Sequence, residues 1–160
     1  MIDLNKMFKP ESVAVIGASN TPGKVGYIIV DNLINDGFEG AIYPVNPKGG
    51  EILGKKAYAN IKDIPEKVDL AIITIPVAFV NPTVKECGEA GVENMVVITA
   101  GFKEVGEEGA KLEAELTALG EEYGINIIGP NSLGITDSHT PLNGSFSQMM
   151  PPTGNMAFIS

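Results

Sequence analysis

The feature that most constrains this chain is an alternation of short apolar runs with longer amphipathic stretches. Apolar, β-branched runs at Ser12–Ile16, Ala41–Val45, Asp69–Ile75, Asn94–Thr99 and Ile125–Ile128 read as strands. The first is continuously apolar, the mark of a strand buried on both faces. Helical spacing is expected over Gly23–Asp36, Asn81–Ala90 and Glu107–Tyr123, each followed by a glycine, Gly37, Gly91 or Gly124. In the last of these, Leu112, Leu116, Leu119 and Tyr123 share one face. Strand–helix alternation of this kind implies an α/β fold with a parallel, doubly wound, Rossmann-like sheet. The connection from Asn46 to Val68 carries lysines and no clear long helix.

With 160 residues, 44% of them hydrophobic and 19% charged, the chain has the size and composition of one domain with a sizeable core, and a disordered reading fails. No apolar run is long enough to span a bilayer, and Met1–Lys6 lacks a signal-peptide pattern. The single cysteine, Cys87, excludes an intramolecular disulfide, and the expected compartment is the cytoplasm. Net charge is −9 and every basic residue is a lysine, which argues against a nucleic-acid partner. Lys24, Lys48 and Lys103 each follow an expected strand, so in a parallel sheet they share one rim, where they favour an anionic ligand.

The segment Val13-Ala-Val-Ile-Gly17-Ala-Ser-Asn-Thr-Pro-Gly23-Lys-Val-Gly26 reads as strand, anion-binding turn and helix start. Pro22 suits a first helical position and Thr21 an N-cap. Three glycine-loop chemistries compete for it. A P-loop needs four residues between its glycines and a hydroxyl after the lysine. Here five residues separate Gly17 from Gly23, and Val25 follows Lys24. The dinucleotide fingerprint needs a middle glycine and an acid at the end of the second strand. Ser19 stands in for that glycine, and the strand end reads Val45-Asn46-Pro47-Lys48. A lysine in place of a carboxylate disfavours NAD and leaves ligands with a phosphorylated ribose, NADP or coenzyme A.

Beyond Gly129 the pattern changes. Residues 130–152 are rich in Pro, Gly, Ser, Asn and Thr and read as an extended loop, and Asn155–Ser160 reads as the start of another strand. The expected organisation is a CoA-binding domain over 1–135 and a loop-rich extension over 136–160 leading into a truncated second domain. The chain is therefore expected to be a non-catalytic fragment.

Five motifs in order carry a family resemblance: Val15-Ile-Gly-Ala-Ser19, Tyr43-Pro-Val-Asn-Pro-Lys48, Ile73-Thr-Ile-Pro76, Thr99-Ala-Gly-Phe102 and Gly129-Pro-Asn-Ser-Leu-Gly134. Together they resemble the N-terminal CoA-binding domain of the NDP-forming acyl-CoA synthetases, and the likeness runs over nearly all of the chain. The tail Gly154–Ser160 resembles the opening strand of that family's second domain. The resemblance implies that Gly17, Ala18, Ser19, Asn20, Thr21, Pro22 and Lys24 approach the nucleotide part of coenzyme A, with Val45, Asn46 and Lys48 near its phosphates. It places Ile75 and Pro76 beside the cofactor, and Thr99, Ala100 and Gly101 near the pantetheine arm. Ala100 departs from an acid in the succinyl enzymes. Asn131 matches the start of a helix aimed at an active-site phosphate. In the full enzyme, acyl-CoA, NDP and phosphate exchange with a carboxylic acid, CoA and NTP through an acyl phosphate and a phosphohistidine.

No catalytic or metal-binding residue is assigned. His139, the only histidine, lies in a polar loop without a matching motif. Cys87 reads as a packing residue, and Glu104–Glu108 as a favourable first helical turn rather than a metal site. The expected partners are CoA and the remaining domains, or a nucleotide-grasp subunit, of the synthetase, with no nucleic acid and no membrane. A free-standing CoA-binding or CoA-sensing module is the alternative, and an NADP-binding oxidoreductase domain the third. The acyl group, ADP against GDP, and the oligomeric state are not legible.

Overall fold

The computed structural model describes residues 4–157. A four-residue helix α1 (Asn5–Phe8) precedes β1 (Ser12–Ile16), α2 (Val25–Asn35) and β2 (Ala41–Val45). Two short strands, β3 (Gly50–Ile52) and β4 (Lys55–Ala57), occupy the connection that had no clear helix, followed by a 3-10 turn at Ile61–Asp63. Then come β5 (Leu70–Ile73), α3 (Val80–Glu89), β6 (Asn94–Val97), α4 (Glu107–Tyr123), β7 (Asn126–Ile128), β8 (Gly134–Asp137) and β9 (Leu142–Ser145). The main sheet is five-stranded and wholly parallel, in the order β2-β1-β5-β6-β7. This is the doubly wound α/β architecture expected from the alternation.

Period-2 alternation builds the two halves of the core. Val13 and Val15, Leu70 and Ile72, and Val96 and Ile98 face one side. Ala14 and Ile16, Ala71 and Ile73, and Met95 and Val97 face the other. The second side is covered by α3 and α4, through Val80, Val84, Cys87 and Leu116, with Leu112, Leu119 and Tyr123 packed against them. The first side has only one long helix, α2, which contributes Ile29, Val30 and Leu33.

That imbalance explains what the C-terminal segment does. Residues 130–152 are not simply an extended loop: β8 and β9 pair antiparallel and lay Ile135 and Leu142 on the side that α2 leaves bare. β9 runs so close to the sheet that a Cβ on Gly144 would lie 2.6 Å from Ile72 Cδ1. All four β9 residues are buried although only Leu142 is apolar. Their polar groups are answered internally. Asn143 donates to Asp36 Oδ2 at 2.7 Å and accepts from Ser145 Oγ at 2.7 Å. Asn32 donates to the carbonyls of Ser145 and Ser147 at 2.9 and 2.8 Å. The hairpin spans the boundary expected near residue 135. In the tail, residues 155–157 form no strand, and 158–160 lie outside the described residues. Among the described residues, no helix is long and apolar enough to cross a membrane.

Strand ends fall one or two residues short of expectation at β5 and β6. Thr74 and Thr99 turn their hydroxyls onto neighbouring carbonyls, donating to Ile16 O at 3.0 Å and to Ile75 O at 2.7 Å. Replacing Asn143 by Ala removes the acceptor of the Ser145 hydroxyl proton and the tie to Asp36. It should cost about 2–3 kcal/mol, read as a lower urea midpoint at unchanged slope.

Candidate functional site

The strand order reverses direction between β1 and β5, because the chain leaves β1 for β2 on one side and later crosses to β5 on the other. Loops on either side of such a switch point diverge and open a crevice at the carboxyl ends of the strands. The Gly17–Lys24 loop and the Thr74–Pro76 segment leave the sheet on either side of this switch point.

Backbone contact shapes the Gly17–Lys24 loop. Gly17 has φ +95° and faces β5, so that a Cβ there would sit 2.6 Å from Thr74 Oγ1 and 2.9 Å from Ile75 Cγ2. Gly26, on the first turn of α2, lies against the Gly17 carbonyl, and a Cβ on it would overlap that oxygen. Gly17 N–H and Ala18 N–H both donate to Val45 O, at 3.0 and 3.2 Å. Asn46 Nδ2 donates to Ala18 O at 2.9 Å, while its Oδ1 accepts from the Lys48 N–H at 2.9 Å. Val45 and Asn46 thus tie the end of β2 to the glycine loop and set the turn that presents Lys48.

Ser19 and Asn20 are likewise committed. Ser19 Oγ accepts from the Thr21 N–H at 3.0 Å. Asn20 Nδ2 donates to Glu51 O at 2.7 Å and its Oδ1 accepts from the Leu53 N–H at 3.0 Å, clamping the β3–β4 hairpin onto the loop.

The helix start differs from the sequence expectation. Gly23 takes φ +85°, which no helix tolerates, so Thr21 and Pro22 belong to a turn and α2 begins at Val25 with Lys24 as N-cap. No side chain caps this end, and no acid lies in the first turn. The free N–H groups and partial positive charge of the terminus are therefore left open. By contrast, α4 opens with Glu107 and Glu108. Lys24 and Lys48 are exposed, and neither has an ion-pair partner among the described residues.

The other strand ends complete the rim. Ile75 is half-buried and Pro76 exposed, leading into the 3-10 turn Val77–Phe79. Gly101 has φ +109°, and a Cβ there would press on Val77 Cγ1 at 3.1 Å. Ala100, just before it, is exposed. The Glu104 carboxylate accepts from the N–H groups of Gly101 and Phe102, at 2.5 and 3.2 Å, and these bonds hold it below the usual carboxylate range. Lys103 does not join Lys24 and Lys48 as an open cation: Glu113 pairs with it at 2.9 Å and raises its pKa. Nor does a helix start at Asn131. That residue has φ +54° and donates its N–H to Thr99 O at 3.0 Å, and the chain passes straight into β8. The reason lies in the sheet, which needs the hairpin as cover on that side.

Sequence reasoning missed the β3–β4 hairpin that Asn20 clamps to the glycine loop. Its only signal was the two-residue turn Leu53–Gly54 between two short runs, and leucine at the first turn position disguises a hairpin. Cys87 is fully buried in the α3 side of the core, where loss of solvation pushes its thiol up to about 12. His139 is exposed, its Nε2 3.0 Å from Gly154 O and its N–H on Asp137 Oδ1 at 2.9 Å, which makes it part of the β8–β9 turn. No group of three His, Cys, Asp or Glu among the described residues is placed to hold a metal ion.

Comparison with known proteins agrees with this geometry. A family model described as "CoA binding domain" matches residues 11–138. The chain is 50% identical over 157 residues to an ADP-forming acetate–CoA ligase I of Archaeoglobus fulgidus, covering 98% of this chain and 23% of that protein. It is also 50% identical to the α subunit of an ADP-forming acetate–CoA ligase II of Pyrococcus furiosus, covering 98% of this chain and 34% of the subunit. Among solved structures, a dinucleotide-forming acetyl-coenzyme A synthetase 1 of Ca. Korarchaeum cryptofilum, in complex with phosphate and ADP, superposes with a TM-score of 0.87 at 44% identity. That match covers 91% of this chain and 31% of the other. The chain thus spans 23 to 34% of the length of these relatives.

Two outcomes follow from the site's construction. Gly26→Ala forces a methyl into the Gly17 carbonyl and should destabilise the fold by about 3 kcal/mol or more, since backbone cannot yield as a side chain does; thermal unfolding measures it. Cys87 should resist a thiol reagent in the native state at pH 8 and react on unfolding. Above pH ~9 the unfolded chain loses the thiol proton while the folded chain keeps it. The contribution of Cys87 to stability is therefore full below pH 9 and declines by about 1.4 kcal/mol per pH unit toward pH 12. A Cys87→Ala variant should lack that part of the alkaline loss.

Proposed function

Because this chain belongs to the CoA binding domain family, we propose that its sheet rim binds coenzyme A and serves as the CoA-holding unit of an ADP-forming acyl-CoA synthetase. The carrying observation is the uncapped, acid-free N-terminus of α2, seated on Gly17 and flanked by Lys24 and Lys48. Coenzyme A is a good fit to it on chemical grounds. Its pyrophosphate suits backbone N–H groups at a helix N-terminus. Its ribose phosphate suits a β2 end that carries a lysine where NAD-binding folds carry a carboxylate. Gly17 and Ala18 give close backbone approach, and Lys24 and Lys48 supply charge. Ile75, Pro76, Thr99, Ala100 and Gly101 continue the rim in the direction a pantetheine arm would take from that phosphate site.

In the whole protein, the reading assigns a reaction in which acyl-CoA, ADP and phosphate are exchanged for a carboxylic acid, CoA and ATP. Bound CoA supplies the thiol that forms and releases the thioester. This chain's residues hold and orient the ligand. The remaining domains or subunit of the synthetase are the partners that complete the reaction, and the chain alone is expected to bind CoA without turning it over. The cytoplasm, where acyl-CoA and nucleotides occur together, is the compartment this activity needs.

Calorimetric titration of the chain with CoA, dephospho-CoA, NADP and NAD tests the reading. CoA should bind most tightly, and removal of the 3′-phosphate should weaken it. Lys48→Ala should weaken CoA by about 3- to 10-fold, the scale of one solvated charge contact. Tight NAD binding with none for CoA sinks the proposal.

A further inference from the structure

The chain has eleven lysines, no arginine and twenty acidic residues. In such a surplus of carboxylates, a lysine without a partner is the informative case. Lys6, Lys62, Lys67, Lys103 and Lys111 all sit in ion pairs. The other six, Lys9, Lys24, Lys48, Lys55, Lys56 and Lys85, have no ion-pair partner among the described residues. Of these, Lys24, Lys48, Lys55 and Lys56 lie on the glycine loop or on the segment clamped to it. Residues 18–27 and 46–58 together hold these four lysines and one acid, Glu51. Four lysines against one acid make these segments a locally basic edge on an acidic protein.

Hairpin geometry separates Lys55 from Lys56. In the β3–β4 register Ile52 opposes Lys55, Glu51 opposes Lys56 and Gly50 opposes Ala57. Opposed residues share a face. Ile52 and Ala57 are buried in the α2 side of the core, so Lys55 stands on the face turned toward the body. Lys56 stands on the other face, its Nζ 4.8 Å from the centre of the Tyr58 ring. Lys55 also follows directly on the hairpin tip. Leu53 and Gly54 both take positive φ, +49° and +75°, the signature of a tight two-residue turn. Leucine adopts such a φ at a cost. Its N–H bond to Asn20 Oδ1 and its packing on the core hold it there. The backbone of the tip is therefore fixed beside the glycine loop, and the exposed Lys55 follows directly on it.

We propose that Lys55 is a third phosphate-binding lysine of the site, delivered by the Asn20 clamp, and that Lys56 is not part of it. The inference rests on the CoA reading. A ligand that carries a pyrophosphate and a separate ribose phosphate spreads its charge over a wider area than one lysine pair covers. Lys24, Lys48 and Lys55 bracket that area from the helix start, the β2 end and the hairpin tip.

Titration of CoA into wild type, Lys55→Ala, Lys55→Arg, Lys56→Ala and Lys85→Ala, at low and at physiological salt, tests it. The expected result is a 3- to 10-fold weaker Kd for Lys55→Ala, near-wild-type binding for Lys55→Arg, and changes under about twofold for Lys56→Ala and Lys85→Ala. Added salt should weaken wild type more than Lys55→Ala. Lys55→Ala within twofold of wild type overturns the assignment, as does an equal loss in Lys56→Ala, which would mean that only the general charge of the edge matters. A wild type that binds no CoA overturns the functional reading and this assignment together, a result distinct from equal CoA binding by wild type and Lys55→Ala.

Discussion

The seat of α2 on the first strand turn is the constraint from which the rest of the site follows. Gly26 lets the helix axis approach until its first turn lies against the Gly17 carbonyl, and Gly17 in turn admits Thr74 and Ile75 from β5. One contact thus sets three distances: helix to strand, loop to neighbouring strand, and the opening of the crevice between them. It also explains why the helix begins late. A chain that must leave β1 at Gly17 and enter a helix already pressed onto that glycine needs a reversal in between, and Gly23 at φ +85° provides it. The cost is a helix end without a side-chain cap. α3 also starts without a side-chain cap or a first-turn acid, so what distinguishes α2 is its place on Gly17 beside Lys24 and Lys48. At the switch point of a parallel sheet an uncapped helix start leaves donors available to an anion.

Covering the sheet evenly is the second demand. Two helices serve one face and one serves the other, and the chain corrects the deficit with a hairpin whose inner strand, Leu-Asn-Gly-Ser, would never be chosen for a core from its composition. Glycine admits the sheet surface, leucine supplies apolar area, and Asn143 and Ser145 bond one another, with further ties to Asp36 and Ser147. The hairpin also bonds to Asn32 in the middle of α2, so the helix that presents its N-terminus at the rim is braced from its far side.

The same contrast marks how much could be read from the residues alone. The five sheet strands and three helices were legible because each is an apolar run with a regular period between glycine and proline breaks, and period depends on local sequence. The β8–β9 hairpin was not, because its burial follows from a gap in the helix layer that only the assembled sheet reveals. The expected helix at Asn131 failed for the same reason. At the candidate site, Gly17, Lys24 and Lys48 were singled out from spacing, and the structure places all three at the carboxyl-end rim of the sheet. Thr21 and Pro22 have the residue types of a helix start, yet a left-handed glycine one position later overrode them. The β3–β4 tip was missed because its nearness to the glycine loop comes from a side-chain clamp across more than thirty residues of sequence.

A division of labour at the rim follows from counting which groups are already satisfied. Asn20, Asn46 and Glu104 have the polar side chains one would first assign to a ligand, yet the amides of Asn20 and Asn46 and the carboxylate of Glu104 all bond to backbone. What they leave open is the helix terminus and a set of unpaired lysines. Backbone donors are fixed in place by the fold and lose little freedom on binding, whereas a lysine adds charge on a mobile stem. On the proposed reading the two kinds of group divide recognition: the open N–H groups at the start of α2 would set where a phosphate sits, and the lysines how much negative charge the site favours. An asparagine substitution in this rim acts by shifting the donors, and a lysine substitution acts by changing the field. The two should be separable by salt, because screening weakens exposed charges far more than it weakens a hydrogen bond held by the backbone.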